Sequence, residues 1–449
     1  MICKIRTLFK YIFILGILLL LIQLFLFHDA KLLNEDDKNI PVILWWTPFG
    51  NNGLTKICGY NKCYFTYNRT YENNSRLKAI LFYGSNFQIN DLPKWRSAFV
   101  QWGLIHEESP RNNPIFVHYK ALNLFNYSST FSRFSNVPLY SIDLPNEEEL
   151  LGKKYFVPTK EKTDLIENEN LAPLLYIQSD CNTASNRDSY ILELMKYIKI
   201  DSYGSCINNA RLNERYIYIY VYTYVRMLKS NYLDKLNSNE FLSFVAKYKF
   251  TLAFENAICN DYITEKLWRP LVVGSVPIYY GSPSFKDWLP NNKSAISVLD
   301  FSEPRELANF LFHLLNNDIE YERYLIHKIG REEERLTNKR LLDVLKKKST
   351  KDAHNFGYYV EEYECFVCKQ IHNSQIKEEI SIVSKKHYDC PLPINLLSGK
   401  ADENNFWVNQ WNLEKCGAKL LEHYVLNNIT IDIKKYDVEK FELYNKNNC

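Results

Sequence analysis

The sequence of 449 residues has little net charge and few glycines. Its 55 Lys and Arg residues and 52 Asp and Glu residues give a formal net charge of +3, which is too small to indicate a nucleic-acid-binding surface or a polybasic membrane surface. Only 14 residues are glycine, whereas 46% are hydrophobic and 15% are aromatic. This composition excludes a disordered chain and is typical of an ordered globular protein.

One long apolar run is present, from Tyr11 to Phe27, and Gln23 is its only strongly polar residue. Its length is at the lower limit for a membrane-spanning helix. Basic residues precede the run and acidic residues follow it, so we expect the N-terminal side to be cytosolic and the rest to be luminal. The prediction is a single-pass type II protein with a cytosolic tail over 1–10, a transmembrane signal-anchor over 11–27 and a stem over 28–40; a cleaved signal peptide is the alternative.

Cysteine and asparagine usage also indicates a luminal compartment. Eleven cysteines are present, and an even number remains once Cys3 is placed in the cytosolic tail, as expected in an oxidising environment. Asn-x-Ser/Thr triplets, which accept N-glycans, begin at Asn68, Asn73, Asn126, Asn292 and Asn428. We therefore predict a glycoprotein of the Golgi or the endoplasmic reticulum membrane.

Apolar runs and amphipathic stretches alternate along the chain. Strands are predicted over residues 41–46, 79–83, 174–178, 200–203, 250–255 and 276–280, with helices over 190–197 and 263–273. This alternation predicts parallel sheets with βα crossovers, and a luminal part of about 400 residues is too large for one core. We predict an α/β protein with two Rossmann-like domains over 41–165 and 171–350, a polar linker over 159–170, a long solvated helix over 319–348 and a cysteine-containing extension over 351–449.

The most informative segment covers residues 250–268 and reads FTLAFENAICNDYITEKLW. An apolar strand ends inside it and a helix begins, and junctions of this kind bind anions. The segment provides two carboxylates, an amide, a phenol and an ammonium group, which belong to Glu255, Glu265, Asn256, Tyr262 and Lys266. A buried strand followed by a capped helix is the alternative that involves no ligand.

This segment resembles the donor-binding signature of the α1,3-fucosyltransferases, glycosyltransferase family 10. The matching residues are Phe254-Glu255-Asn256, Asp261-Tyr262 and Thr264-Glu265-Lys266-Leu267-Trp268. Three further matches follow the family's order: Glu108-Ser109-Pro110, the run Ser179 to Arg187 followed by Ile200 to Gly204, and Val276-Pro277 between Gly274 and Gly281. Four ordered matches exceed what chance gives. The resemblance implies a GT-B fold, with two domains facing a cleft, and an inverting transfer of fucose from GDP-fucose.

The resemblance also implies roles for individual residues. Donor contacts are implied for Arg187, Glu255, Asn256, Tyr262, Glu265 and Lys266. Arg187 and Lys266 would balance the phosphate charge, and Glu108, from the acceptor-side domain, would deprotonate the acceptor hydroxyl. No Asp-x-Asp occurs in the chain, so the metal-chelating device of many nucleotide-sugar transferases is missing. We therefore expect no metal or other cofactor, with cationic side chains and a helix N-terminus facing the phosphates.

Each of these roles has a structural alternative. The lysine of the motif could be an ordinary solvent-facing side chain, and Arg187 could form a charge pair with Asp188 at the start of a helix. The Glu-Asn pair of the motif could cap the loop after its strand. Glu107 and Glu108 could both be ordinary loop carboxylates.

The cysteines of the extension need a separate interpretation. Cys365-Phe-Val-Cys368 is a poor match to a redox pair or half a zinc site, because no second CxxC, no His pair at metal spacing and no thioredoxin-like pattern lies nearby. The resemblance implies instead that these cysteines are bonded to Cys58 and Cys63. Proximity in the sequence suggests the further pairs Cys181–Cys206 and Cys390–Cys416, and it leaves Cys259 and Cys449 unassigned.

The chain departs from the common family pattern in three places. Pro270-Leu271 follows the donor motif, where a proline is expected to kink or end a helix. Cys259 stands where many relatives have His. The extension, with Trp407 and Trp411, is longer than in common members and resembles a divergent branch linked to protein O-fucosylation.

These departures from the common family pattern indicate which acceptor to expect. We predict transfer of fucose to Ser or Thr of small disulfide-rich domains of the EMI type, because aromatic anchors suit protein surfaces. Transfer in α1,3-linkage to GlcNAc of N-glycans is the alternative within the family. An inactive, lectin-like luminal binding protein is the alternative from another class. A retained base and phosphate cation argue against it.

Overall fold

A computed structural model describes residues 39–139, 142–210, 238–349, 356–374 and 381–449. The predicted cytosolic tail and transmembrane anchor, and nearly all of the predicted stem, lie outside the described residues. No helix within these five ranges is long and apolar enough to cross a membrane. The described chain forms two sheets with helices packed against them.

The first sheet is built from the N-terminal part of the described chain. Its strands are β1 (Val42–Trp45), β2 (Leu54–Cys58), β3 (Asn61–Thr66), β4 (Leu77–Tyr83), β5 (Gln101–His106) and β6 (Tyr127–Thr130). They lie in the order β2-β3-β1-β4-β5-β6, and every neighbouring pair is parallel except the hairpin β2-β3. All four residues of β1 are buried, as expected for a parallel strand covered on both faces.

The second sheet is parallel throughout. Its strands are β7 (Leu174–Ile177), β8 (Ile200–Tyr203), β9 (Phe250–Phe254), β10 (Val276–Tyr280) and β11 (Ile296–Ser297). The order β11-β10-β9-β7-β8 places β8 on one side of β7 and the later strands on the other. The carboxyl ends of β7 and β9 therefore border the crevice at which doubly wound sheets bind ligands.

Helices connect and cover these strands. They are α1 (Tyr119–Leu122), α2 (Glu147–Leu151), α3 (Thr159–Asn168), α4 (Arg187–Leu194), α5 (Asn239–Val245), α6 (Glu265–Val273), α7 (Pro304–Leu315), α8 (Asp318–Glu322), α9 (Ile326–Ile329), α10 (Glu332–Arg335), α11 (Lys339–Ser349), α12 (Phe356–Ser374), α13 (Phe406–Leu426) and α14 (Ile433–Asn445). The predicted α/β class is confirmed, because parallel strands alternate with helices in both sheets.

The C-terminal extension returns to the first sheet and covers both of its faces. Side chains of β1 alternate between these faces, so that Ile43 packs with Tyr363 of α12, whereas Leu44 packs in the core that contains Leu421 of α13. Glu364 of α12 is fully buried and accepts a hydrogen bond from Trp45 Nε1 at 2.7 Å. The extension is therefore an integral layer of the first domain.

Five disulfides join the described cysteines, and one predicted pair is wrong. The bonding of Cys365 and Cys368 to Cys58 and Cys63 is confirmed, with Cys58 paired to Cys365 and Cys63 paired to Cys368, and the Cys181–Cys206 bond is also confirmed. Cys390 is bonded to Cys259 and not to Cys416, which is bonded to Cys449. The reason is tertiary: the residue before Cys390 docks on the loop after β9, and α14 returns the C-terminus to α13.

Two local predictions also differ from the structure. The predicted linker over 159–170 is mostly helix α3, whose buried Lys162 donates to the carbonyls of Tyr248 and Gly274. The predicted helix over 319–348 is divided into α8 to α11, partly because Asn338 donates to loop carbonyls before α11. Pro270 lies inside α6, which ends at Val273 as the predicted helix over 263–273 does.

The predicted N-glycosylation sites differ in exposure. Asn68, Asn73, Asn292 and Asn428 are exposed, and glycosylation there stays a prediction. Asn126 is 5% exposed, its Oδ1 accepts from Trp102 N at 2.8 Å, and its Nδ2 donates to Ser381 O at 3.0 Å. Asn126 is therefore the least accessible of the five sites, and glycosylation there also stays a prediction.

Candidate active site

The predicted donor residues lie within, or directly after, two loops at the carboxyl ends of β7 and β9. Residues 178–186 follow β7, and residues 255–264, which we call the donor loop, connect β9 to α6. Ser185 Oγ donates to Glu255 O at 2.7 Å, and Ser185 N donates to Asn256 O at 3.1 Å. The two loops are therefore joined at the crevice that the strand order creates.

Arg187 ties the same two loops from inside the protein. Its side chain is fully buried, with Nη1 donating to Phe254 O and Nη2 donating to Asp180 O, both at 2.8 Å. Its Nε is buried and has no hydrogen-bond partner among the described residues. The guanidinium group thus organises the crevice, and a direct phosphate contact by Arg187 stays a prediction. Asp188, the predicted alternative partner, accepts from Tyr176 OH at 2.6 Å.

Glu255 fixes the start of helix α6. Its fully buried carboxylate accepts from Thr264 N at 2.9 Å and from Thr264 Oγ1 at 2.8 Å. Thr264 is the N-cap residue of α6, so Glu255 orients the helix terminus that points at the crevice. Burial raises the pKa of Glu255, and the Lys266 ammonium opposes this increase. The structure therefore favours the capping role over a sugar contact for this carboxylate.

Lys266 and Glu265 form the charged first turn of α6. Lys266 Nζ lies 3.3 Å from Glu265 Oε1 and 3.5 Å from Glu255 Oε2, and its side chain is 18% exposed. Burial lowers the pKa of Lys266, but the carboxylates of Glu265 and Glu255 outweigh burial and raise it above the ordinary value. The same charge pairing lowers the pKa of Glu265 although burial opposes it. Lys266 is therefore a fixed cation at a helix N-terminus.

Asn256 and Tyr262 lie on the donor loop in different environments. Asn256 is half-buried, and its Oδ1 has no hydrogen-bond partner among the described residues. Tyr262 is 5% exposed and packs edge-on against Phe131 of the first domain, with ring centroids 5.2 Å apart. Burial, with a contribution from Glu108, raises the pKa of Tyr262. Asn256 thus has a buried acceptor atom without a partner among the described residues, whereas Tyr262 joins the donor loop to the opposite domain.

Glu107 and Glu108 follow β5 on the first domain. Burial raises the pKa of Glu108, and the Lys266 ammonium of the second domain opposes this increase, so the two groups are close enough to interact electrostatically. Glu107 Oε1 accepts from Tyr83 OH at 2.6 Å, and burial raises the pKa of Glu107 to about 7. The structure therefore brings the predicted base together with the predicted phosphate cation.

Asp261, a motif residue with no predicted role, joins the two domains. Its carboxylate accepts from Arg133 Nε at 2.8 Å and from Arg133 N at 2.9 Å. It also accepts from Ser284 Oγ at 2.7 Å, and its side chain is 1% exposed. Burial would raise the pKa of Asp261, but the hydrogen bonds from Arg133 outweigh it and lower the pKa. Asp261, although it belongs to the donor motif, therefore forms a contact between the two domains.

We expect Arg133→Met to lower the free energy of unfolding by roughly 3–5 kcal/mol, because it leaves the buried Asp261 carboxylate without its cation. Urea-induced unfolding of the full chain measures this change. Arg323→Met is the matched control, because Arg323 and its partner Glu320 are 52% and 32% exposed, and we expect a loss of about 1 kcal/mol or less. Equal losses in the two variants would show that the Arg133–Asp261 pair does not hold the domains together.

Asp143 is a cleft residue that no sequence motif indicates. Its side chain remains accessible to solvent, yet the surrounding protein and the nearby Glu265 carboxylate raise its pKa to about 7. Asp143 follows the last strand of the first sheet in the sequence, and only the tertiary structure brings it near the charged first turn of α6. Acidic character alone could not have distinguished it from the many other Asp and Glu residues.

An apolar pocket is formed by residues of both domains and of the extension. It is lined by Pro110, by Ile258 of the donor loop, by the Cys259–Cys390 disulfide and by Trp407 and Trp411 of α13. Pro110 is two positions after Glu108. Both domains and the extension therefore contribute to one wall of the cleft.

Two family models match the chain over both sheets. The model described as Glycosyltransferase family 10 (fucosyltransferase) C-term matches residues 168–385, and the model described as Fucosyltransferase, N-terminal matches residues 38–140. A crystal structure of an α1,3-fucosyltransferase with GDP-fucose matches with a TM-score of 0.37 and 18% identity, covering 64% of this chain and 81% of that chain.

The chain is also similar to proteins named GDP-fucose protein O-fucosyltransferase 3. The protein from Canis lupus familiaris is 44% identical over 367 residues, which cover 80% of this chain and 73% of the relative. The protein from Bos taurus is 40% identical over 412 residues, which cover 89% of this chain and 82% of the relative. With matches to both family models and this identity over most of each sequence, the chain belongs to glycosyltransferase family 10, the fucosyltransferases.

Proposed function

We propose that this fucosyltransferase moves fucose from GDP-fucose to a Ser or Thr hydroxyl of a small disulfide-rich protein domain, such as an EMI domain. The observation that carries the proposal is the electrostatic interaction between Glu108 of the first domain and Lys266 of the second, which supplies a candidate base and a candidate phosphate cation in one region. The similarity to proteins named GDP-fucose protein O-fucosyltransferase 3 supports a protein acceptor.

The proposed reaction is a single in-line displacement. Glu108 accepts the proton of the acceptor hydroxyl as its oxygen attacks the anomeric carbon of fucose. The bond between that carbon and the β-phosphate oxygen breaks, and GDP leaves with the additional negative charge. Lys266 and the N-terminus of α6 stabilise this charge. Attack from the face opposite GDP inverts the anomeric configuration and gives an α-fucoside without a covalent intermediate.

The other donor residues divide into contact and support roles. Asn256 is proposed to bind a ribose or fucose hydroxyl, because its Oδ1 is otherwise without a partner among the described residues. Glu265 holds Lys266 in place. Arg187 and Glu255 are proposed to hold the loops and the helix start that form the crevice. Arg187 donates to loop carbonyls, and Glu255 accepts from the N-cap residue of α6.

The apolar pocket supports a protein acceptor. Trp407 and Trp411 give it two large aromatic walls, and Trp407 Nε1 is held by Asn182 Oδ1 at 2.9 Å. Rigid aromatic side chains in desolvated pockets are typical anchors of protein interfaces. We propose that this pocket receives an apolar side chain of the acceptor domain beside the modified hydroxyl.

Trp407→Ala is expected to raise the KM for a protein acceptor about tenfold, because it removes one wall of this pocket. The KM for GDP-fucose should stay unchanged. Steady-state kinetics with each substrate varied in turn measure both values. Trp95→Ala is the control, since Trp95 is 64% exposed and lies outside the pocket. An unchanged acceptor KM in Trp407→Ala would contradict the assignment of the pocket.

The compartment and the metal independence are also proposals. The apolar run over 11–27 supports a type II anchor in the Golgi or endoplasmic reticulum membrane. Five disulfides among the described cysteines support an oxidising compartment. The missing Asp-x-Asp supports a reaction that needs no divalent metal.

One assay tests the reaction and the acceptor together. The purified full chain is incubated with GDP-fucose or GDP-mannose, and with either a folded EMI domain or an N-glycan acceptor, in the presence and absence of EDTA. We expect fucose on Ser or Thr of the EMI domain, from GDP-fucose only, whether or not EDTA is present. Labelling of the glycan alone would overturn the protein acceptor, and a loss in EDTA that Mn²⁺ restores would overturn the metal-independent mechanism.

A further inference from the structure

Residues 386–390 cross from the first domain to the donor loop, and we call them the strap. Its first residues dock on the edge strand β6 and the turn that follows. Ser132 Oγ donates to Lys386 O at 2.6 Å, and Ser128 Oγ lies 2.7 Å from His387 Nδ1. One end of the strap is therefore fixed to the first domain.

The middle of the strap contacts the residue proposed as the base. Tyr388 is fully buried and its OH donates to Glu108 O at 2.7 Å. Its ring stacks on His106, with centroids 5.3 Å apart and an angle of 24° between the ring planes. Burial lowers the pKa of His106 to about 3, so the stacked imidazole is neutral. The peptide group of Glu108 is thus held by a side chain from the C-terminal region.

The other end of the strap is attached to the donor loop. Asn260 N donates to Asp389 O at 2.9 Å, and Asn260 Nδ2 donates to Asp389 Oδ2 at 2.6 Å. The next residue, Cys390, forms the disulfide with Cys259. Since the donor loop leads directly into α6, a covalent path runs from the strap to the helix that carries Lys266.

We infer that the strap sets the distance between Glu108 and the bound donor, with Tyr388 as a positioning residue for the base. The inference rests on the proposed function, because it assumes that Glu108 removes the acceptor proton. A base acts only within hydrogen-bond reach of that proton, and a displacement of about 1 Å can lower a rate about 100-fold. Glu108 and Lys266 come from different domains, so a tie bound to both sides fixes their separation.

Tyr388→Phe in the full-length, oxidised enzyme tests this inference. The ring and its stacking remain, and only the hydrogen bond to Glu108 O is lost. We expect kcat to fall about tenfold, while the Kd for GDP-fucose and the melting temperature change no more than in the control. The control is Tyr436→Phe, because Tyr436 is also fully buried and donates to a backbone carbonyl, that of Gly417, at 2.6 Å.

A second pair of variants tests the attachment to the donor loop. Cys259→Ala combined with Cys390→Ala opens the strap at that end, and we expect kcat to fall about tenfold or more. Cys416→Ala combined with Cys449→Ala removes the disulfide that joins α13 to Cys449 and should leave kcat unchanged.

The outcomes separate this inference from the proposed function. Transferase activity in the wild-type enzyme, with Tyr388→Phe and Tyr436→Phe equal in kcat, would overturn the role of the strap and leave the proposed function standing. The role of the strap would also be overturned if Tyr388→Phe lowered the melting temperature without lowering kcat. It would likewise be overturned if Tyr388→Phe raised the Kd for GDP-fucose by the same factor by which it lowered kcat. A wild-type enzyme without fucosyltransferase activity would overturn both.

Discussion

Lys266→Ala is expected to lower kcat by about 100-fold to 1000-fold, because it removes the fixed cation that faces the departing diphosphate. The effect on kcat should exceed the effect on GDP-fucose binding, since negative charge on the β-phosphate increases as the transition state is reached. Steady-state transfer to a folded EMI domain, together with calorimetric titration of GDP-fucose, measures both quantities. Circular dichroism should show a folded protein.

The control for this variant is a lysine that is paired but exposed. Lys196 pairs with Glu193 at 2.6 Å and is 64% exposed, so Lys196→Ala should retain full activity. Lys266→Ala also leaves Glu265 without its main stabilising charge, and the pKa of Glu265 should rise as a result. A kcat for Lys266→Ala within about threefold of the wild type would remove Lys266 from the proposed mechanism.

Glu108→Gln is expected to lower transfer by about 100-fold to 10,000-fold and to leave GDP-fucose binding intact. The amide keeps the shape of the carboxylate but cannot accept the proton of the acceptor hydroxyl. Product formation and donor binding are measured separately, so that a folding defect is recognised by loss of both. Glu107→Gln is the matched control, because Glu107 is the adjacent carboxylate and its Oε1 is held by Tyr83 OH. An inactive Glu107→Gln with an active Glu108→Gln would move the role of the base by one residue.

The pH dependence of transfer provides a second readout for Glu108. A general base must be deprotonated, so kcat/KM should increase as the pH rises through the pKa of Glu108 and should be lost below it. Burial raises that pKa above the ordinary value for a glutamate. The acidic limb of the profile should therefore lie at higher pH than for a solvated carboxylate. It should be absent from the residual activity of Glu108→Gln, unless Glu107, with its pKa of about 7, were the base.

Sequence and structure give different information about the supporting residues of the motif. Glu255 and Arg187 match the family motif, but both side chains are buried and engaged with the loops at the crevice. A motif records which residues a site needs and does not separate those that touch a ligand from those that hold the loops. Burial and hydrogen-bond partners show what these side chains hold: Glu255 accepts from the N-cap residue of α6, and Arg187 donates to two loop carbonyls.

The sequence by itself determined the features that depend on neighbouring residues. Apolar runs between turn residues predict β9 and β10 closely, and the donor motif with its family resemblance lies within one short segment. That resemblance implies that Cys365 and Cys368 are bonded to Cys58 and Cys63, and the structure contains these bonds as Cys58–Cys365 and Cys63–Cys368.

Only the tertiary structure decided the contacts between distant parts of the chain. Cys390 lies nearer in sequence to Cys416 but bonds to Cys259, because the strap docks on the donor loop. The extension became part of the first domain because both faces of a parallel sheet must be covered. Asp261 became an interdomain tie because Arg133, far away in sequence, ends at the same cleft. Local patterns contain no information about such pairs, since each depends on where two complete domains meet.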